Sequence, residues 1–456
     1  MRKYFGTDGI RRIANTDLTP ELVYKVAKAG AYVLSKHTDH APTILIGRDT
    51  RLSGTLIESA MTAGFLSYGA NVKLLGVIPT PAVAYLTKKL KADASVVISA
   101  SHNTFEFNGI KFFSNKGMKI PDSLEEEIEE VMESGKLEEL TAKNEKIGVS
   151  EIREDLIDEY VYFFRKNFDE DIENNNREGF KVLIDTANGA TYKVAEKVFT
   201  SLGIEHKIIN NKPDGININK NCGSTHLEML QDEVVKENFN LGIAYDGDGD
   251  RCLAVDENGN IIDGDKILAV ISNYMKKNGT LNKNTLVATV MSNLGLNKYA
   301  EKNNINFIQT NVGDRYVLEQ MLKDGYNIGG EQSGHVILLD YNPTGDGILT
   351  SLMLIKIILE ENKTASEVCN IVKIFPQVLV NAKVDSSKKD MYKDDKEIKQ
   401  KIESIEKEFS GNGRTLIRPS GTEPLVRVMI EGENINEITK RANELAKLIK
   451  EKLNKC

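Results

Sequence analysis

Short apolar runs alternate with longer amphipathic stretches through most of the chain. The run TILIG at 43–47 is typical of a buried strand. Thr19 followed by Pro20 predicts a helix start, since Thr caps helix N-termini and Pro suits the first helical position. A second predicted helix, through LIESAMTAGFLSYG, ends at Gly69, which favours a left-handed cap. Strands separated by helices predict βαβ units and a parallel sheet.

The pattern repeats twice and then changes, which predicts several domains. New cycles of strand and helix begin near FKVLIDTANG (180–189) and after the turn ENGN (257–260). The polar segment 121–155, rich in Glu and Lys, predicts a surface helix and a linker. Beyond about residue 372 the pattern predicts a small α+β domain, with alternating strands and a final amphipathic helix. The predicted domains are 1–155, 156–257, 258–372 and 373–456.

Composition and charge narrow the class of function. Hydrophobic residues make up 40% and charged residues 28% of the chain, a normal globular balance. The 59 basic and 67 acidic residues give a net charge of −8, which argues against a nucleic-acid or membrane-surface partner. The four cysteines form no metal-binding spacing and the first residues form no signal sequence. We therefore expect a cytoplasmic protein with reduced thiols.

The densest cluster of chemical groups contains Asp246, Asp248 and Asp250, followed by Arg251. Three carboxylates at alternate positions can face one side of a tight turn, and such hard oxygen ligands suit Mg²⁺ or Ca²⁺. An EF-hand loop is the main alternative, because Glu257 stands at its last ligand position. However, Arg251 occupies the position that needs glycine in that loop, and the flanking segments are typical of strands. We therefore favour an Mg²⁺ site in a turn between strands.

A loop with a potential nucleophile, Ser101 followed by His102, comes directly after the apolar run SVVI. Ligands bind at the carboxyl ends of strands in α/β sheets, and a serine there is nucleophilic when a base or metal activates it. The same residues also suit an ordinary polar loop, and His102 need not face Ser101. Lys111 could neutralise a transferring phosphate, although an isolated lysine is more often a solvated charge.

Two further polar loops combine groups that recognise sugars and phosphates. In GGEQSGH, Glu331, Gln332 and Ser333 could hydrogen-bond sugar hydroxyls, and His335 supplies an imidazole, a common proton carrier. In RPSGTEPLVR, two arginines, two hydroxyls and backbone N–H groups around a glycine are typical of a phosphate site. The residues of this second loop are Arg418, Ser420, Gly421, Thr422 and Arg427.

The four elements fall in four different predicted domains. A cleft between the domains could therefore hold a nucleophile, a metal, a sugar loop and a phosphate loop at one site. Arg11, in a tight turn near the chain start, adds one more guanidinium. The sequence has no P-loop pattern, so ATP is not the expected phosphoryl donor.

Together these ordered motifs resemble the α-D-phosphohexomutase superfamily over essentially the whole chain. The resemblance implies three similar α/β domains, with mixed sheets sandwiched by helices, and a smaller C-terminal α+β domain around a central cleft. It implies that Ser101 is phosphorylated and that this phosphoserine joins Asp246, Asp248 and Asp250 in holding one Mg²⁺ ion per subunit. The residues similar to those that line the phosphoryl-transfer site are Arg11, Lys111, Arg251 and His335. His102, next to Ser101, is also a predicted catalytic residue.

The resemblance also assigns the two ends of the substrate. Glu331 and Ser333 would meet sugar hydroxyls, and Gln332 stands between them in the same loop. The non-reacting phosphate would be held by Arg418, Ser420, Gly421, Thr422 and Arg427.

Within the superfamily, Gln332 and the stretch from Asp214 to His226 resemble the branch that acts on glucosamine phosphates. The implied activity interconverts glucosamine 6-phosphate and glucosamine 1-phosphate through glucosamine 1,6-bisphosphate, which feeds UDP-N-acetylglucosamine synthesis. Mannose or glucose phosphates are alternative substrates, and a metal-dependent phosphatase or a non-catalytic Ca²⁺- or sugar-binding protein are alternative classes. Two questions stay open: whether the chain forms a homodimer, and whether Lys111 or His335 is the general base.

Three positions near the expected site depart from the superfamily pattern. Thr104 stands where proline is usual, Phe107 where a polar residue is usual, and Arg12 where glycine is usual. None of these replacements removes a group that the chemistry needs.

Overall fold

The structure is a computed structural model, and it describes residues 3–6, 8–36, 38–173, 175, 178–420 and 423–455. The chain divides into two compact units. The larger unit comprises Met1–Met291 and Asn304–Ile371, and the smaller comprises Ser292–Asn303 and Val372–Cys456. Within the described residues, no helix has the length and apolar character needed to cross a membrane.

The first sheet of the larger unit has six strands and is mixed. Its elements are β1 (Ile10–Ile13), α1 (Pro20–Leu34), β2 (Thr43–Arg48), α2 (Gly54–Tyr68), β3 (Asn71–Val77), α3 (Thr80–Lys89), β4 (Ala94–Ile98), β5 (Phe107–Ser114), α4 (Asp122–Glu133) and β6 (Ser150–Ile152). The strand order is β1-β5-β4-β2-β3-β6. Strand β2 pairs in parallel with β3 and β4, whereas β5 pairs antiparallel with β1 and β4.

Local sequence signals predicted most of these elements. The TILIG run lies in β2, the Thr19 side chain accepts a hydrogen bond from the backbone N–H of Leu22 at the start of α1, and Gly69 ends α2 at a φ of 104°. The prediction of a linker over Ser150–Ile152 is wrong, because these residues form the edge strand β6 beside β3. All three of its side chains are exposed, so no hydrophobic alternation marks this strand.

The second sheet has five strands. Its elements are α5 (Ile157–Glu173), β7 (Lys181–Asp185), α6 (Val194–Ser201), β8 (Glu205–Ile209), α7 (Glu228–Lys236), β9 (Leu241–Tyr245), β10 (Cys252–Asp256) and β11 (Ile261–Ile262). The order is β11-β10-β9-β7-β8, with β7 parallel to β8 and β9, and with β10 antiparallel to β9 and β11.

The third sheet has four strands and completes the larger unit. The elements of this part of the chain are α8 (Gly264–Lys277), β12 (Thr285–Thr289), α9 (Leu294–Lys302), β13 (Asn306–Thr310), α10 (Asp314–Asp324), β14 (Ile328–Gly330), β15 (Val336–Leu338), α11 (Gly347–Glu361) and α12 (Ala365–Cys369). The order is β13-β12-β14-β15, with β12 parallel to β13 and β14, and β15 antiparallel to β14. Helix α9 belongs to the smaller unit.

The smaller unit is an α+β structure with an antiparallel sheet. Its further elements are β16 (Gln377–Lys383), α13 (Lys396–Glu408), β17 (Gly413–Pro419), β18 (Leu425–Gly432) and α14 (Ile435–Lys455). The strand order is β16-β18-β17. Val426, Val428 and Ile430 alternate along β18 and are buried in one core with residues of α14 such as Ile438. The predicted fold class, three mixed α/β sheets and a smaller C-terminal domain, is confirmed.

Three loops of the larger unit leave strand ends at the predicted functional motifs. Ser101 follows β4, Asp246 follows β9, and Glu331 follows β14. The second of these loops approaches the first very closely, since a Cβ placed on Gly247 would lie 2.5 Å from the carbonyl oxygen of Ser101. Only glycine permits this approach, which brings loops of two different sheets into direct contact.

Candidate active site

Ser101 is buried, and its backbone has an uncommon conformation. Its φ of 50° is left-handed, which costs a non-glycine residue roughly 1 kcal/mol, so the surrounding contacts must stabilise it. The backbone N–H of Ser101 donates to Ser99 Oγ over 2.9 Å. The hydroxyl donates to Asp246 Oδ2 over 2.6 Å, and Oγ lies 3.3 Å from His102 Nδ1. The predicted nucleophile is therefore in contact with the predicted metal cluster.

The carboxylates of Asp246, Asp248 and Asp250 are buried, and one oxygen from each lies within 4.8 Å of the others. Asp248 Oδ2 accepts hydrogen bonds from Thr80 Oγ1 over 2.7 Å and from Lys111 Nζ over 3.0 Å. In the described part of the chain, Oδ1 of Asp248 and Oδ1 of Asp250 have no hydrogen-bond partner. Buried, unpartnered carboxylate oxygens in one cluster fit a hard divalent cation such as Mg²⁺.

Burial and mutual repulsion shift the protonation of this cluster. Burial, together with the charges of Asp250 and Asp248, raises the pKa of Asp246 well above its ordinary value. Burial and the Asp248 charge likewise raise the pKa of Asp250. Burial opposes ionisation of Asp248 as well, but the nearby Lys111 ammonium holds the pKa of that carboxyl below its ordinary value. A divalent cation would relieve the same repulsion that protons relieve here.

The segments that flank the carboxylate cluster distinguish between the two predicted kinds of metal site, a turn between strands and an EF-hand loop. The cluster lies between β9 and β10, which pair antiparallel, whereas an EF-hand loop lies between two helices. The EF-hand alternative is therefore excluded. Arg251, directly after the cluster, is largely buried, and its backbone N–H donates to Asp246 Oδ1 over 3.3 Å.

Lys111 is the central cation of the site. Its buried ammonium lies 3.0 Å from Asp248, 3.2 Å from Asp8 and 3.8 Å from Asp250. Burial lowers its pKa, but these carboxylates outweigh burial and raise the pKa above its ordinary value. Arg11 reaches the same carboxylate of Asp8 over 2.9 Å, and it also donates to Asn103 Oδ1 over 3.0 Å. The predicted Arg11 and Lys111 thus lie together beside the nucleophile loop.

A second charge chain links Asp8 to His335. Lys119 Nζ lies 2.6 Å from Asp8 Oδ1 and 2.6 Å from Asp314 Oδ2. That same oxygen of Asp314 lies 3.3 Å from His335 Nε2, which is 4.0 Å from Asp250. Sequence reasoning missed Asp8, Lys119 and Asp314. Asp8 lies three residues before the predicted Arg11, near the chain start, whereas Lys119 and Asp314 are single charged residues without a motif.

The predicted sugar loop connects β14 to β15, and its side chains point to different partners. Glu331 Oε1 accepts a hydrogen bond from the backbone N–H of Gly313 over 3.2 Å, and Ser333 Oγ lies 3.5 Å from Glu331 Oε2. Gln332 instead donates its side-chain amide to Asp263 Oδ2 over 3.3 Å, at the N-terminus of α8. Glu331 and Ser333 are thus grouped, while Gln332 anchors the loop to a helix.

In the smaller unit, the two arginines of the predicted phosphate loop face each other. Arg418 of β17 and Arg427 of β18 are direct cross-strand partners. Burial and the Arg427 charge lower the pKa of Arg418. Like charges in direct opposition are destabilising unless an anion neutralises them. The Glu423 carboxylate accepts a hydrogen bond from Arg427 over 3.2 Å and offsets one of the two charges, so the charge of Arg418 favours an anion-binding role.

Hydrogen bonds to Ser420 stabilise the loop between these strands. Ser420 Oγ accepts a hydrogen bond from the backbone N–H of Glu423 over 3.1 Å, and Lys389 Nζ donates to the Ser420 carbonyl over 2.5 Å. Lys389 was not predicted, because nothing in the sequence distinguishes it from the other lysines of this lysine-rich segment. Gly421 and Thr422, both predicted to bind phosphate, lie outside the described residues.

The three departures from the superfamily pattern leave the charged groups in place. Thr104 and Phe107 contribute backbone carbonyls that accept hydrogen bonds from a buried arginine, Arg51, so these contacts do not depend on the replaced side chains. Arg12 donates to the carbonyl of Lys3 over 2.7 Å. Its guanidinium is therefore engaged with the chain start.

The comparisons with known proteins match all four parts of the chain. The matching family models are phosphoglucomutase/phosphomannomutase alpha/beta/alpha domain I over residues 2–139, domain II over 158–259, domain III over 263–375, and the C-terminal domain over 379–448. The chain belongs to the phosphoglucomutase/phosphomannomutase family, and it is an isomerase of the phosphohexose mutase class. The resemblance read from the motifs is confirmed.

Within this family, the chain is similar over its full length to curated phosphoglucosamine mutases. The phosphoglucosamine mutase of Clostridium acetobutylicum is 54% identical over 454 residues, covering 100% of both chains. The phosphoglucosamine mutase of Clostridium botulinum (strain Kyoto / Type A2) is 55% identical over 455 residues, covering 99% of this chain and 100% of the relative.

Solved structures show the same fold. A phosphoglucomutase/phosphomannomutase family protein from Burkholderia thailandensis has a TM-score of 0.79 at 21% identity, covering 97% of each chain. The N-acetylphosphoglucosamine mutase of Aspergillus fumigatus, in complex with GlcNAc-6P and magnesium, has a TM-score of 0.69 at 17% identity, covering 100% of this chain and 96% of that one.

Proposed function

We propose that this chain interconverts glucosamine 6-phosphate and glucosamine 1-phosphate through a phosphorylated Ser101. One observation carries the proposal: the Ser101 hydroxyl contacts Asp246 directly, over 2.6 Å, within a buried cluster of three carboxylates. The choice of glucosamine is supported by the curated relatives at 54% and 55% identity, which are phosphoglucosamine mutases.

The reaction consists of two phosphoryl transfers. In the first, the bond between phosphorus and Ser101 Oγ breaks while a bond from phosphorus to O1 of glucosamine 6-phosphate forms, giving the 1,6-bisphosphate. The proton of the attacking hydroxyl passes to a base, for which the sequence offers Lys111 and His335. Because the surrounding carboxylates raise the pKa of Lys111 and keep its ammonium protonated, His335 is the favoured base. The bisphosphate then reorients so that its O6 phosphoryl group faces Ser101. This phosphoryl group moves from O6 to Ser101 Oγ, and O6 receives a proton. Glucosamine 1-phosphate and phosphorylated Ser101 result.

The residues around Ser101 suit this chemistry because phosphoryl transfer depends on positioning and charge neutralisation. Arg11, Lys111 and Arg251 supply positive charge beside the nucleophile, and His335 lies within 4.0 Å of Asp250. Asp246, Asp248, Asp250 and the phosphoserine would hold one Mg²⁺ ion. When bound, Mg²⁺ supplies charge neutralisation at the transferring phosphoryl group.

The rest of the substrate is assigned from the two remaining loops. Glu331 and Ser333 would bind sugar hydroxyls. Gln332 would contribute to the choice of sugar by anchoring this loop to Asp263 at the start of α8. Arg418 and Arg427 would bind the non-reacting phosphate, and the repulsion between these cross-strand partners supports that role. Ser420, Gly421 and Thr422 complete the proposed phosphate loop.

We extend the proposal to the organisation of the chain. Four domains over 1–155, 156–257, 258–372 and 373–456 each contribute one functional loop. The matched family models have similar limits. We also retain a cytoplasmic location, in keeping with a phosphosugar substrate and with the sequence features described above.

A coupled assay tests this function. Wild-type enzyme, with Mg²⁺ and a 1,6-bisphosphate activator, should convert glucosamine phosphates with a higher kcat/KM than mannose or glucose phosphates. Ser101→Ala should abolish turnover. A higher kcat/KM for mannose 1-phosphate would overturn the choice of sugar, and release of inorganic phosphate without isomerisation would identify a phosphatase instead.

A further inference from the structure

Arg51, in the loop after β2, has a fully buried side chain. A guanidinium carries five N–H donors, and all five are engaged here. Nε donates to Asp49 Oδ2 over 2.8 Å. The other donors bond only to backbone carbonyls, those of Ser101 over 2.9 Å, Asn103 over 2.8 Å, Phe107 over 3.1 Å, and Thr104.

The four carbonyls belong to one segment, which runs from Ser101 in the loop after β4 to Phe107, the first residue of β5. A planar guanidinium can bond several carbonyls at once because its donors diverge in a fixed fork, whereas a lysine ammonium at the same place cannot reach all of them. Arg51 therefore fixes the course of the whole loop rather than one residue.

Asn219, which lies between β8 and α7, also binds this loop. Its side-chain amide donates to the Ser101 carbonyl over 2.8 Å and to the Asn103 carbonyl over 2.9 Å. Asn219 is buried, like Arg51. The Ser101 carbonyl thus accepts hydrogen bonds from two buried side chains that are far apart in sequence.

A third set of contacts, through Ser99 and Asp49, holds the backbone N–H of Ser101. Asp49 Oδ2, which accepts from Arg51, also accepts a hydrogen bond from Ser99 Oγ over 2.6 Å. Ser99 Oγ in turn accepts the backbone N–H of Ser101 over 2.9 Å. Both peptide groups that flank the Ser101 Cα are therefore held, and this holding stabilises the left-handed φ of 50°.

We propose that Arg51 is a positioning residue for the nucleophile, and that with Asn219 it holds the Ser101 loop in the one conformation that directs Oγ at Asp246. This inference rests on the proposed role of Ser101 in phosphoryl transfer. Neither Arg51 nor Asn219 needs to touch the substrate. Their loss should slow the chemical step while substrate affinity is retained, because a displacement of about 1 Å costs roughly 100-fold in rate.

Three variants test the proposal. Arg51→Lys keeps the charge but loses the fork, and Asn219→Ala removes the two contacts from the other side. The matched control is Thr87→Val, which removes a buried hydrogen bond to Ser95, at the opposite end of β4 from Ser101. Each variant is assayed for kcat, KM, thermal midpoint and phosphate content of Ser101 by intact-mass spectrometry.

We expect Arg51→Lys to lose about 100-fold in kcat and Asn219→Ala about tenfold, each with a KM within about threefold of the wild-type value. Thr87→Val should lower the thermal midpoint and leave kcat unchanged. The inference is overturned if Arg51→Lys keeps wild-type kcat, if KM rises instead, or if Thr87→Val loses kcat to the same degree. If Arg51→Lys does not fold, Asn219→Ala decides by the same criteria. Wild-type enzyme without mutase activity would instead refute the proposed function.

Discussion

Ser101 Oγ donates a hydrogen bond to Asp246 Oδ2 over 2.6 Å, so a residue after β4 and a residue after β9 meet through their side chains. Next to this contact, a Cβ on Gly247 would lie 2.5 Å from the Ser101 carbonyl oxygen. The loop of Ser101 and the loop of Asp246 therefore share one fixed geometry. Under the proposed function, small changes at their contact should affect catalysis directly.

Gly247→Ala should lower kcat by about 10- to 100-fold, because the added methyl group forces the two loops apart. The backbone of Gly247 is not left-handed, so alanine carries no conformational strain there. Gly242→Ala is the matched control, since its Cβ would crowd the Val234 side chain in the core at 2.7 Å without touching Ser101. Equal kcat losses in the two variants would contradict a specific contact between the loops.

Removal of the metal with EDTA should abolish turnover, and added Mg²⁺ should restore it. Mg²⁺ should also raise the thermal midpoint of the wild-type protein, because a cation at 100 times its Kd stabilises the folded state by about 2.7 kcal/mol. Asp250→Asn should lose most of this response, since it removes one of three clustered carboxylates.

Asp185→Asn is the control for the metal experiment. Asp185 is also buried, but its carboxylate accepts the backbone N–H groups of Ala187 and Gly223, at 2.8 Å and 2.9 Å. This variant should be less stable and should keep the Mg²⁺ response. A wild-type Mg²⁺ response in Asp250→Asn would contradict the assignment of the cluster.

Arg418→Met should raise the KM for glucosamine 6-phosphate by about 10- to 100-fold, the range expected for one charged hydrogen bond. Without phosphate the variant should be no less stable than wild type, because it removes the repulsion between Arg418 and Arg427. Inorganic phosphate should raise its thermal midpoint less than that of wild type.

Arg414→Met provides the contrast on the same strand. Arg414 is bound to Glu431 and to the Ser292 carbonyl, so its loss should reduce stability and leave the KM unchanged. An unchanged KM in Arg418→Met, or an equal rise in both variants, would contradict the phosphate-binding role.

The Asp314 carboxylate predicts a specific dependence of stability on pH. Burial opposes its ionisation, but Lys119 and His335 together outweigh burial and hold the pKa of Asp314 at about 2. A lowered pKa in the folded state stabilises the protein at neutral pH, by about 2 kcal/mol for this shift, and the gain is lost as the pH falls from about 4 to about 2.

Asp314→Asn should therefore lower the thermal midpoint most above pH 5. The difference between wild type and variant should shrink as the pH is lowered toward 2, because the wild-type carboxylate is then protonated. Thermal melts of both proteins across this range measure the effect. A difference that stays constant with pH would show that the Asp314 charge contributes nothing to stability.

The sequence predicted those parts of the site that lie within contiguous motifs. Asp246, Asp248 and Asp250 form one turn, and their clustering follows from their alternate spacing between two strands. The opposition of Arg418 and Arg427 could not be read from their spacing alone, because it depends on the register of β17 and β18.

Residues whose role arises from tertiary contacts were missed. Arg51 and Asn219 stand in separate segments, and only the folded chain brings both to the Ser101 carbonyl. Lys119 and Asp314 form their ion pair across 195 residues of sequence, without a local pattern. The edge strand Ser150–Ile152 was missed for a related reason, since its pairing uses the backbone and leaves its side chains exposed.

The central claim, phosphoryl transfer through Ser101, is tested most directly by intact-mass and phosphopeptide analysis of the purified protein. We predict one phosphate on Ser101, absent from Ser101→Ala, that exchanges with labelled phosphate from glucosamine 1,6-bisphosphate at a rate compatible with turnover. An active wild-type enzyme with no phosphate on Ser101, or with a phosphate that does not exchange, would contradict the claim.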